Sequence, residues 1–583
     1  MPGLFGIIDL DKKPEAELFG NIASGITPFE YKYLNADNEN CRMGFKSLGI
    51  VDPQGQPFHD EDNSLTLFFW GEIFERDTYS LQLPKSIFEI YMENRLEEIS
   101  EINGFFSFAL WDNSKKTLVL ATDIHGIRPL YYHQGNDFLA FGPNPFALAK
   151  ALNICSIDKD ALLQFMAFGK IIEDHTWIDG IKKLRYGQIL QFDQTGLNIK
   201  QYFKPQFRPV KMSIDDAAEG ILKGLEKGIT RMSEGKAALS LSGGGDSRLL
   251  AALLKKNKIM IPAFSFGGEK SDDMKIASEV CEHLEIPHHR LTISPDFLQH
   301  HLREAVYNTG GFVSALNYHG ISTRERVREF GDICLSGLYG NNYLGYLSRF
   351  LYLLSRINPI HVKFEMLRKL LSEGQELDSL ERLLNFTFDR DELEKVAYSL
   401  IEYYGHESPL DTWMMLDHFE INSQSSLAGF WLENDLLEFR TPYCDRDLLE
   451  FNFSIPVQYK VMMNLGRYIW NKYYPGLGRI NHQRTGLPIN ASVRKLIVQK
   501  IATRILKKRR PAGIMEYSAV FEHEIKEWIH EFLLSDNSRI SQYLNMDTAA
   551  IRIGAHTEFD TGNAAQIGLL LTFEQVLRIL ECD

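Results

Sequence analysis

The pattern of apolar and polar positions changes character about a third of the way along the chain. In the first part, short apolar and aromatic runs alternate with turn residues, as where 105–111 is followed by a polar turn at 112–116 and another run at 117–121. Such spacing is typical of antiparallel strands. Five further runs follow the same pattern: 3–10, 42–51, 64–74, 129–133 and 138–141. Residues 81–98 and 145–152 predict helices.

A Pro-containing segment at 205–209 predicts a linker. Beyond it, apolar positions recur with a helical period, and 214–232 predicts an amphipathic helix. Predicted strands then alternate with predicted helices: strands at 237–241, 261–266 and 288–293, helices at 247–256 and 273–284. This alternation indicates a parallel sheet with right-handed crossovers. The pattern is mostly helical after position 341. It divides the chain into an α+β unit, 1–207, and an α/β unit, 208–583.

Composition excludes several classes of protein. Of 583 residues, 44% are hydrophobic, 77 are Asp or Glu and 63 are Lys or Arg, which gives a net charge of −14. This balance argues against a dedicated nucleic-acid binder or a basic membrane-surface protein. The first residues lack the basic region of a signal peptide, and no apolar run approaches the roughly 20 residues of a membrane span. The six cysteines are scattered and predict neither a zinc site nor a disulfide framework. We therefore expect a cytoplasmic protein.

The strongest chemical signal is a glycine-rich turn, Ser242-Gly243-Gly244-Gly245-Asp246-Ser247, between a predicted strand and a predicted helix. Glycines let the backbone approach a phosphate, and the helix N-terminus favours an anion. Asp246 would repel a bare phosphate, so its position indicates a bound divalent cation such as Mg²⁺. The alternative is an ordinary strand–helix turn in which Asp246 or Ser247 caps the helix. The complete motif resembles the pyrophosphate loop of ATP pyrophosphatases, which cleave ATP to AMP and pyrophosphate.

Further segments resemble asparagine synthetase B-type enzymes and occur in the order of that family. They are 3–7, 48–52, 55–57, 71–73, 105–112, 121–132, 265–267, 273–284 and 438–445. The resemblance implies an N-terminal-nucleophile glutaminase fold, an antiparallel sandwich, in the first unit. For the second unit it implies an ATP-pyrophosphatase-type synthetase domain, with a parallel sheet and a large helical portion.

The resemblance also implies a set of site residues. ATP would contact Leu241, Ser242, Gly243, Gly244, Gly245, Asp246, Ser247, Phe266, Ser336 and Gly337. Mg²⁺ would be held by Asp246 and by Asn341, which replaces an Asp of the family's Ser-Gly-x-Gly-x-Asp-Glu pattern. This replacement removes a negative charge and should weaken metal binding.

Three departures fall in the first unit. The family's glutaminase uses a cysteine directly after the initiator methionine, and Pro2 stands there instead. Proline has no thiol, so no thioester with glutamine can form. Ser47 lies where an Arg is expected, and Trp70 replaces an Asn. We expect this unit to keep the fold without hydrolysing glutamine; the alternative is a misassigned start codon or decay of a single site. Family members without the cysteine include β-lactam synthetases and lasso-peptide macrolactam cyclases.

Candidate catalytic residues in the second unit are Asp246, Arg484 and Tyr339. Arg484 lies near a late family Lys that steadies developing charge in β-lactam synthetases, although a surface Arg is the alternative. Tyr339 is adjacent to the position of those enzymes' catalytic Tyr, where this chain has Leu338. For Glu438 and Arg440 we expect a buried Arg–carboxylate pair that orients a loop, and the alternative is a direct role in the chemistry.

Three hypotheses follow. The first is an ATP- and Mg²⁺-dependent amide-forming ligase that adenylates a small-molecule or peptide carboxylate without glutamine hydrolysis. Its most concrete version is a lasso-peptide or lactam-type cyclase, whose partners would be a precursor peptide and its leader-processing protease. The second is an asparagine synthetase-like enzyme using free ammonia. The third, suggested by Asn341 and Asn342, is a non-catalytic nucleotide-binding scaffold. The sequence leaves the two substrates, the role of the first unit and the oligomeric state open.

Overall fold

The computed structural model describes residues 1–26, 32–74, 83–345, 377–405, 408–505, 513–554 and 561–581. In chain order the strands are β1 Gly3–Asp9, β2 Lys32–Asp37, β3 Cys41–Ser47, β4 Phe58–His59, β5 Leu65–Ile73, β6 Gly104–Asp112, β7 Thr117–Thr122, β8 Leu130–Gln134, β9 Phe138–Gly142, β10 Ile181–Leu184, β11 Gln188–Asp193, β12 Gly196–Gln201, β13 Ala237–Ser240, β14 Ala263–Gly267, β15 His288–Thr292, β16 Ile333–Ser336 and β17 Glu438–Arg440.

The α-helices are α1 Ala16–Gly25, α2 Leu83–Met92, α3 Pro145–Leu152, α4 Lys159–Phe168, α5 Ile214–Met232, α6 Asp246–Lys256, α7 Asp272–Leu284, α8 Phe297–Thr309, α9 Arg324–Arg328, α10 Asn341–Leu344, α11 Leu377–Leu383, α12 Arg390–Tyr403, α13 Pro409–Leu416, α14 Leu427–Trp431, α15 Arg446–Ser454, α16 Asn464–Lys472, α17 Pro475–Gly478, α18 Val493–Ile505, α19 Tyr517–Ala519, α20 Lys526–Leu534, α21 Met546–Gly554 and α22 Thr561–Ile579. Wider π turns occupy Asp417–Ser426 and Val520–Glu524. Short 3₁₀ turns lie at Leu96–Glu101, Ala315–Asn317, His319–Ser322, Pro442–Cys444, Val457–Tyr459 and Ile540–Gln542.

Two six-stranded antiparallel sheets form the first part of the chain. Their strand orders are β10-β8-β9-β1-β3-β2 and β12-β11-β7-β6-β5-β4. All nine residues of β6 are buried, because β6 lies between β5 and β7 and is covered on both faces. Residues of both sheets meet in one apolar core that includes Leu4, Phe68, Trp70 and Trp111. The expected antiparallel sandwich is confirmed.

A five-stranded parallel sheet, in the order β15-β14-β13-β16-β17, forms the centre of the second part. Helix α5 opens this part with a capping box, in which Ser213 accepts a hydrogen bond from the N–H of Asp216 and the Asp216 side chain accepts from Ser213. Ser240 at the end of β13 is level with Phe264 on β14 and Ser336 on β16. The carboxyl ends of three neighbouring strands therefore open onto one edge, where ligands bind in open α/β sheets.

Buried ion pairs join the two parts. Glu438 on β17 accepts from Arg128, and each side chain is 1% exposed. Arg440 makes two 2.7 Å hydrogen bonds to the carboxylate of Glu72 on β5. The expectation that Glu438 and Arg440 pair with each other is therefore wrong. Strand β17 lies against the first part, and each of the two side chains finds its partner there.

The cysteines and the helices bear on two further expectations. Cys41, Cys281, Cys334 and Cys444 are buried free thiols, whereas Cys155 is disulfide-bonded, a pairing that the scattered spacing did not predict. Cys582 lies outside the described residues. Within the part of the chain that the structure describes, no helix combines the length and apolarity needed to cross a membrane.

Candidate functional site

The glycine-rich turn connects β13 to α6 and is folded over the start of that helix. The Ser242 N–H donates to Ser247 Oγ at 3.0 Å, and the Gly244 N–H donates to Ser242 Oγ at 3.2 Å. The residue before the helix is Gly245, which provides no side-chain cap. The alternative in which Asp246 or Ser247 serves as the N-cap is therefore wrong. Gly245 leaves the first N–H groups of α6 without a side-chain cap, so the start of this helix can bind an anion.

A second loop, after β16, packs directly on the first turn of α6. A Cβ atom added to Gly337 would lie 2.5 Å from the backbone nitrogen of Ser247. A methyl group at Gly340 would overlap the Cβ of Asp246. The absence of side chains at these two glycines thus permits the close approach. The structure brings the expected ATP contacts Ser336 and Gly337 to the glycine-rich turn, although their roles stay predictions.

Two carboxyl groups lie at this junction. Burial raises the pKa of Asp246 to about 7, and Arg484 opposes the shift. Burial also raises the pKa of Asp273 to about 6, opposed by a hydrogen bond from the Gly243 N–H, 2.9 Å long, and by the charges of Arg248 and Arg484. Because Arg484 acts on both carboxyls, the structure brings it to the site. Asp273, at the start of α7, was not singled out from the sequence.

Arg248 holds the glycine-rich turn against the hairpin that carries Arg484. Its side chain is fully buried, and Nη2 donates to the carbonyls of Gly243 at 3.0 Å and Asn481 at 2.7 Å. Nη1 donates to the carbonyl of Ile480 at 3.0 Å. A guanidinium with several backbone acceptors fixes both segments at once. Sequence inspection missed this role, because its acceptors lie more than 230 residues away along the chain at Ile480 and Asn481.

The end of β14 forms the side of the site where the resemblance places adenine. The Leu241 N–H donates to the Phe264 carbonyl at 2.8 Å, which fixes the turn against β14. Phe266 is half-buried, and its ring lies 5.3 Å from that of His319. The Gly268 N–H donates to the carbonyl of Ile514 at 2.9 Å. The segment that contains Ile514 therefore lies beside the predicted adenine contacts.

The segment after Gly337 places its candidate residues in opposite directions. Tyr339 has a left-handed φ of 68° and is 1% exposed, with its ring 4.6 Å from that of His418 in the interior. Asn341 is exposed and directly follows Gly340, which touches Asp246. Buried Asn342 is 3.2 Å from His418 Nδ1. The residue before Asn341 thus lies against Asp246, whereas the ring of Tyr339 lies in the interior. The metal role of Asn341 and the catalytic role of Tyr339 stay predictions.

The donor set fits a nucleotide-bound magnesium ion. Mg²⁺ in nucleotide sites is held by one or two carboxylates together with phosphate oxygens. Asp246, at the first turn of α6, could supply such a carboxylate, with the neutral oxygen of Asn341 nearby. Among the described residues, no group of three or more His, Cys, Asp or Glu could hold a metal by itself. A single carboxylate such as that of Asp246 suits an ion that arrives bound to a triphosphate.

The three departures of the first part lie in one buried region. The Trp70 side chain is fully buried, and a Cβ on Gly3, next to Pro2, would lie 2.9 Å from its ring. The guanidinium of Arg128 lies 5.3 Å from the centre of the Trp70 ring. Ser47 Oγ donates to the carboxylate of Asp52. Trp70 and Arg128 therefore pack together beside the start of β1, and among the described residues Trp70 Nε1 has no hydrogen-bond partner.

Comparison with known proteins gives matches over both parts. Residues 1–203 match the family described as glutamine amidotransferase domain, and residues 228–578 match the family described as asparagine synthase. Asparagine synthetase [glutamine-hydrolyzing] 1 of Bacillus subtilis is 23% identical, over 92% of this chain and 89% of its own. A putative asparagine synthetase [glutamine-hydrolyzing] 1 of Methanocaldococcus jannaschii is 24% identical, over 87% of each chain. Amidase chry2 of Gibberella zeae is 28% identical, over 38% of this chain and 35% of its own.

Proposed function

The chain belongs to the asparagine synthase family of ATP-dependent carbon–nitrogen ligases, and from that premise we propose that it forms an amide bond without hydrolysing glutamine. It adenylates a carboxylate and couples the product to an amine. In its most concrete version the amine belongs to the same molecule, so that the product is a lactam or a lasso-type macrolactam. The substrate is then a small molecule or a peptide that carries both groups.

The packing around Trp70 is the observation that supports this proposal. A glutamine-hydrolysing site needs a thiol and an open pocket for the amide side chain. Pro2 supplies no thiol, and the Trp70 ring lies against Gly3 and the guanidinium of Arg128. Ser47, in the place of an expected Arg, is bonded to Asp52. These changes support a first domain that has kept its sheets and lost glutamine hydrolysis.

The second part supplies the groups that adenylation needs. A carboxylate oxygen of the substrate attacks the α-phosphorus of ATP, and pyrophosphate leaves. The amine then attacks the acyl carbon, AMP leaves, and the amine loses a proton. The N–H groups at the start of α6 bind phosphate oxygens, and Arg484 offers a positive charge as negative charge develops. Bound Mg²⁺ would neutralise part of the triphosphate charge, with Asp246 as its protein ligand.

An internal amine removes the need for an ammonia supply. Holding two reacting groups in one molecule raises their effective concentration to values far above those of free ammonia. A domain that no longer releases ammonia from glutamine is compatible with such a substrate. A short precursor-peptide gene and a transglutaminase-like protease gene beside this gene would support the lasso-type version.

Exchange of labelled pyrophosphate into ATP tests the adenylation step. We expect exchange that depends on Mg²⁺ and on a carboxylate substrate, and loss of exchange in Asp246→Asn. The same preparation should release no glutamate from glutamine. Glutamate release above that of a heat-treated sample would contradict the proposal. Exchange that is absent with every carboxylate tested, despite measurable ATP binding, would instead favour the nucleotide-binding scaffold.

A second candidate function is asparagine synthesis from free ammonia. The likeness to asparagine synthetase 1 of Bacillus subtilis over 92% of this chain favours it. Aspartate, ATP and ammonium should then give asparagine and AMP, whereas glutamine in place of ammonium should not. Asparagine formation at ammonium concentrations in the low millimolar range would place this function ahead of the cyclase.

A further inference from the structure

Helix α18 is unusual because it buries none of its described side chains. Ile497, Val498 and Ile501 are 41%, 65% and 52% exposed. Its other described positions, 493–496, 499 and 502, are exposed or half-buried. An isolated helix shorter than about 12–15 residues is marginal in water, and most helices gain their stability by packing one face. Helix α18 has 13 residues, which is within that marginal range. Because its described side chains are exposed or half-buried, packing against the rest of the chain stabilises it little.

The exposed residues form one stripe with a basic character. Positions 494, 497, 498 and 501 follow the i, i+3, i+4, i+7 spacing, which places their side chains on one face of the helix. The stripe therefore consists of Arg494, Ile497, Val498 and Ile501, with Lys495 beside it. The helix contains four Lys or Arg and no Asp or Glu, in a chain whose net charge is −14. Within the described part of the chain, no carboxylate pairs with Arg494 or Lys495.

Both ends of α18 lead back to the nucleotide site. Before it, the Gln483 N–H donates to the carbonyl of Gly243 in the glycine-rich turn at 3.3 Å. After it, Ser271 Oγ donates to the carbonyl of Gly513 at 3.0 Å. Segments that flank the helix thus form part of the wall of the site.

We propose that the stripe on α18 binds an acidic segment of the peptide substrate, with aliphatic side chains covering Ile497, Val498 and Ile501. This proposal rests on the proposed function. Asp or Glu side chains of the peptide meet Arg494 and Lys495, and the apolar contacts exclude water around them. The stripe then holds the peptide while its carboxylate reaches the adenylation site.

Two other occupants fit the charges less well. An anionic membrane would attract the helix but would repel the rest of a chain with net charge −14. A symmetric second copy would place two basic stripes against each other, because a twofold interface pairs each patch with itself. An acidic peptide covers only the stripe, so salt screens it from most of the chain's negative charge, whereas a membrane faces a whole side of the molecule.

Binding of a labelled peptide to the full chain tests the proposal. The probe is a fluorescein-labelled peptide of about 16 residues in which Glu and Leu alternate with Ser and Gly, and its partner probe has Lys in place of Glu. Fluorescence anisotropy should show binding of the Glu peptide that is at least about tenfold tighter than that of the Lys peptide, and weaker at high salt. The double variants R494E/K495E and I497E/I501E should each weaken it by about tenfold or more.

A matched control keeps the test specific. Val210 and Met260 are exposed apolar residues elsewhere, 52% and 67% exposed, and V210E/M260E should leave peptide binding unchanged. Circular dichroism should show all three variants folded, since every altered side chain lies at the surface. Equal peptide affinity in wild type and both α18 variants would overturn the proposal, as would failure of the Glu peptide to bind.

Two further outcomes would also overturn it, and one separates it from the proposed function. Binding of phosphatidylserine vesicles, lost in both α18 variants, without peptide binding would assign the stripe to a membrane. Dimerisation lost in the same variants would assign it to a second copy. Peptide binding without any pyrophosphate exchange would support the docking surface and refute the proposed function. Pyrophosphate exchange without peptide binding would support the proposed function and refute the docking surface.

Discussion

At the scale of single residues, the two carboxyl groups of the site share one cationic neighbour. Burial raises the pKa of Asp246 and of Asp273, and Arg484 opposes both shifts. A residue that lies at the surface of a hairpin thus helps to set the charge of two groups on two different helices. This gives Arg484 a measurable effect before any chemistry occurs.

The pH dependence of nucleotide binding should report this arrangement. As a ligand of Mg²⁺, Asp246 would act only in its ionised form, and burial raises its pKa to about 7. The affinity for Mg²⁺–ATP should therefore fall as the pH drops through 7, by about tenfold per unit well below that value. Arg484→Met removes the opposing charge, so the pKa rises further and the midpoint of the profile moves to higher pH. Calorimetric titration from about pH 6 to pH 9 measures both profiles.

Two variants control this measurement. Asp246→Asn should remove the pH dependence that exceeds that of ATP itself. Arg479→Met removes another exposed Arg of the same region, one that perturbs neither carboxyl, and should leave the midpoint in place. A midpoint that stays fixed or moves to lower pH in Arg484→Met would contradict the assignment.

Residues of the site were predictable only where local order reveals them. The glycine-rich turn is recognisable because a strand, a polar turn and a helix follow one another. Asp273 and Arg248 were missed because their roles depend on contacts 30 and more than 230 residues away. Tyr339 was expected at the site by its sequence position alone, whereas its left-handed backbone accompanies a ring in the interior.

At the scale of elements, strand length decided what could be predicted. The sequence indicated β13, β14 and β15 within two residues of their observed bounds. It gave no indication of β16 and β17, which have four and three residues. Strands this short carry too little periodicity to detect, and they exist because neighbouring strands of the sheet provide hydrogen-bonding partners. The loop after β16 was therefore placed by resemblance rather than by pattern.

The close packing of that loop on α6 leads to a prediction at Gly340. A methyl group there would overlap the Cβ of Asp246, so Gly340→Ala should push the loop away from the first turn of the helix. We expect Mg²⁺–ATP affinity to fall by about tenfold or more, since both halves of the site move apart. Equilibrium binding and thermal unfolding, measured together, separate this local effect from general instability.

Gly20 provides the matched control. It lies in α1, is exposed, and a Cβ there would meet no atom within 4 Å. Gly20→Ala should leave ATP binding unchanged and stabilise the fold by about 0.5–1 kcal/mol, because alanine favours the helix. Unchanged nucleotide affinity in Gly340→Ala would refute the claimed close approach.

At the scale of the whole molecule, the two parts form one continuous interior. Phe5 and Tyr131 of the first part and Phe312 and Trp431 of the second belong to the same apolar cluster. The Trp431 Nε1–H donates to the carbonyl of Ile127 at 3.2 Å. The sequence predicted two units and could not show this contact, because no local pattern reveals which surfaces of two domains meet.

Removal of the Arg128 charge at this interface should lower the free energy of unfolding of the chain. Arg128→Met leaves Glu438 buried without its cation, which we expect to destabilise the chain by about 3–5 kcal/mol. Burial raises the pKa of Glu438 and Arg128 opposes the rise, so without Arg128 the carboxyl binds a proton more readily. A carboxyl whose pKa is raised by folding lowers the protein's free energy of unfolding as the pH rises. The free energy of unfolding of the variant should therefore be closer to that of wild type at pH 6 than at pH 8.

Urea unfolding at the two pH values checks this prediction. Arg95→Met, which removes a surface Arg paired with Glu93 and Glu98, should change stability far less than Arg128→Met does. The double variant R128M/E438Q should recover part of the loss, since the unpaired charge is gone. Equal losses for Arg128→Met and Arg95→Met would contradict a buried interdomain pair.

The shared interior also predicts how the chain unfolds. Tryptophan fluorescence and far-ultraviolet circular dichroism should follow one common transition in urea, because neither part can lose its core without exposing the other. Arg128→Met should move that single midpoint rather than split it. Two well-separated transitions would show that the domains are independently stable.

Arg128 contacts both Trp70 and, across the interface, Glu438. This double contact bears on how the family can evolve. In a lineage that lost glutamine hydrolysis and then deleted the first domain, Trp431 would become exposed. Glu438 would lose its positively charged partner. The interior shared by the two parts is thus a structural reason to retain the first domain, whatever chemistry it performs. Among relatives that lack the nucleophile, substitutions should accumulate around positions 2, 47 and 70, while Arg128 and Ile127 change slowly.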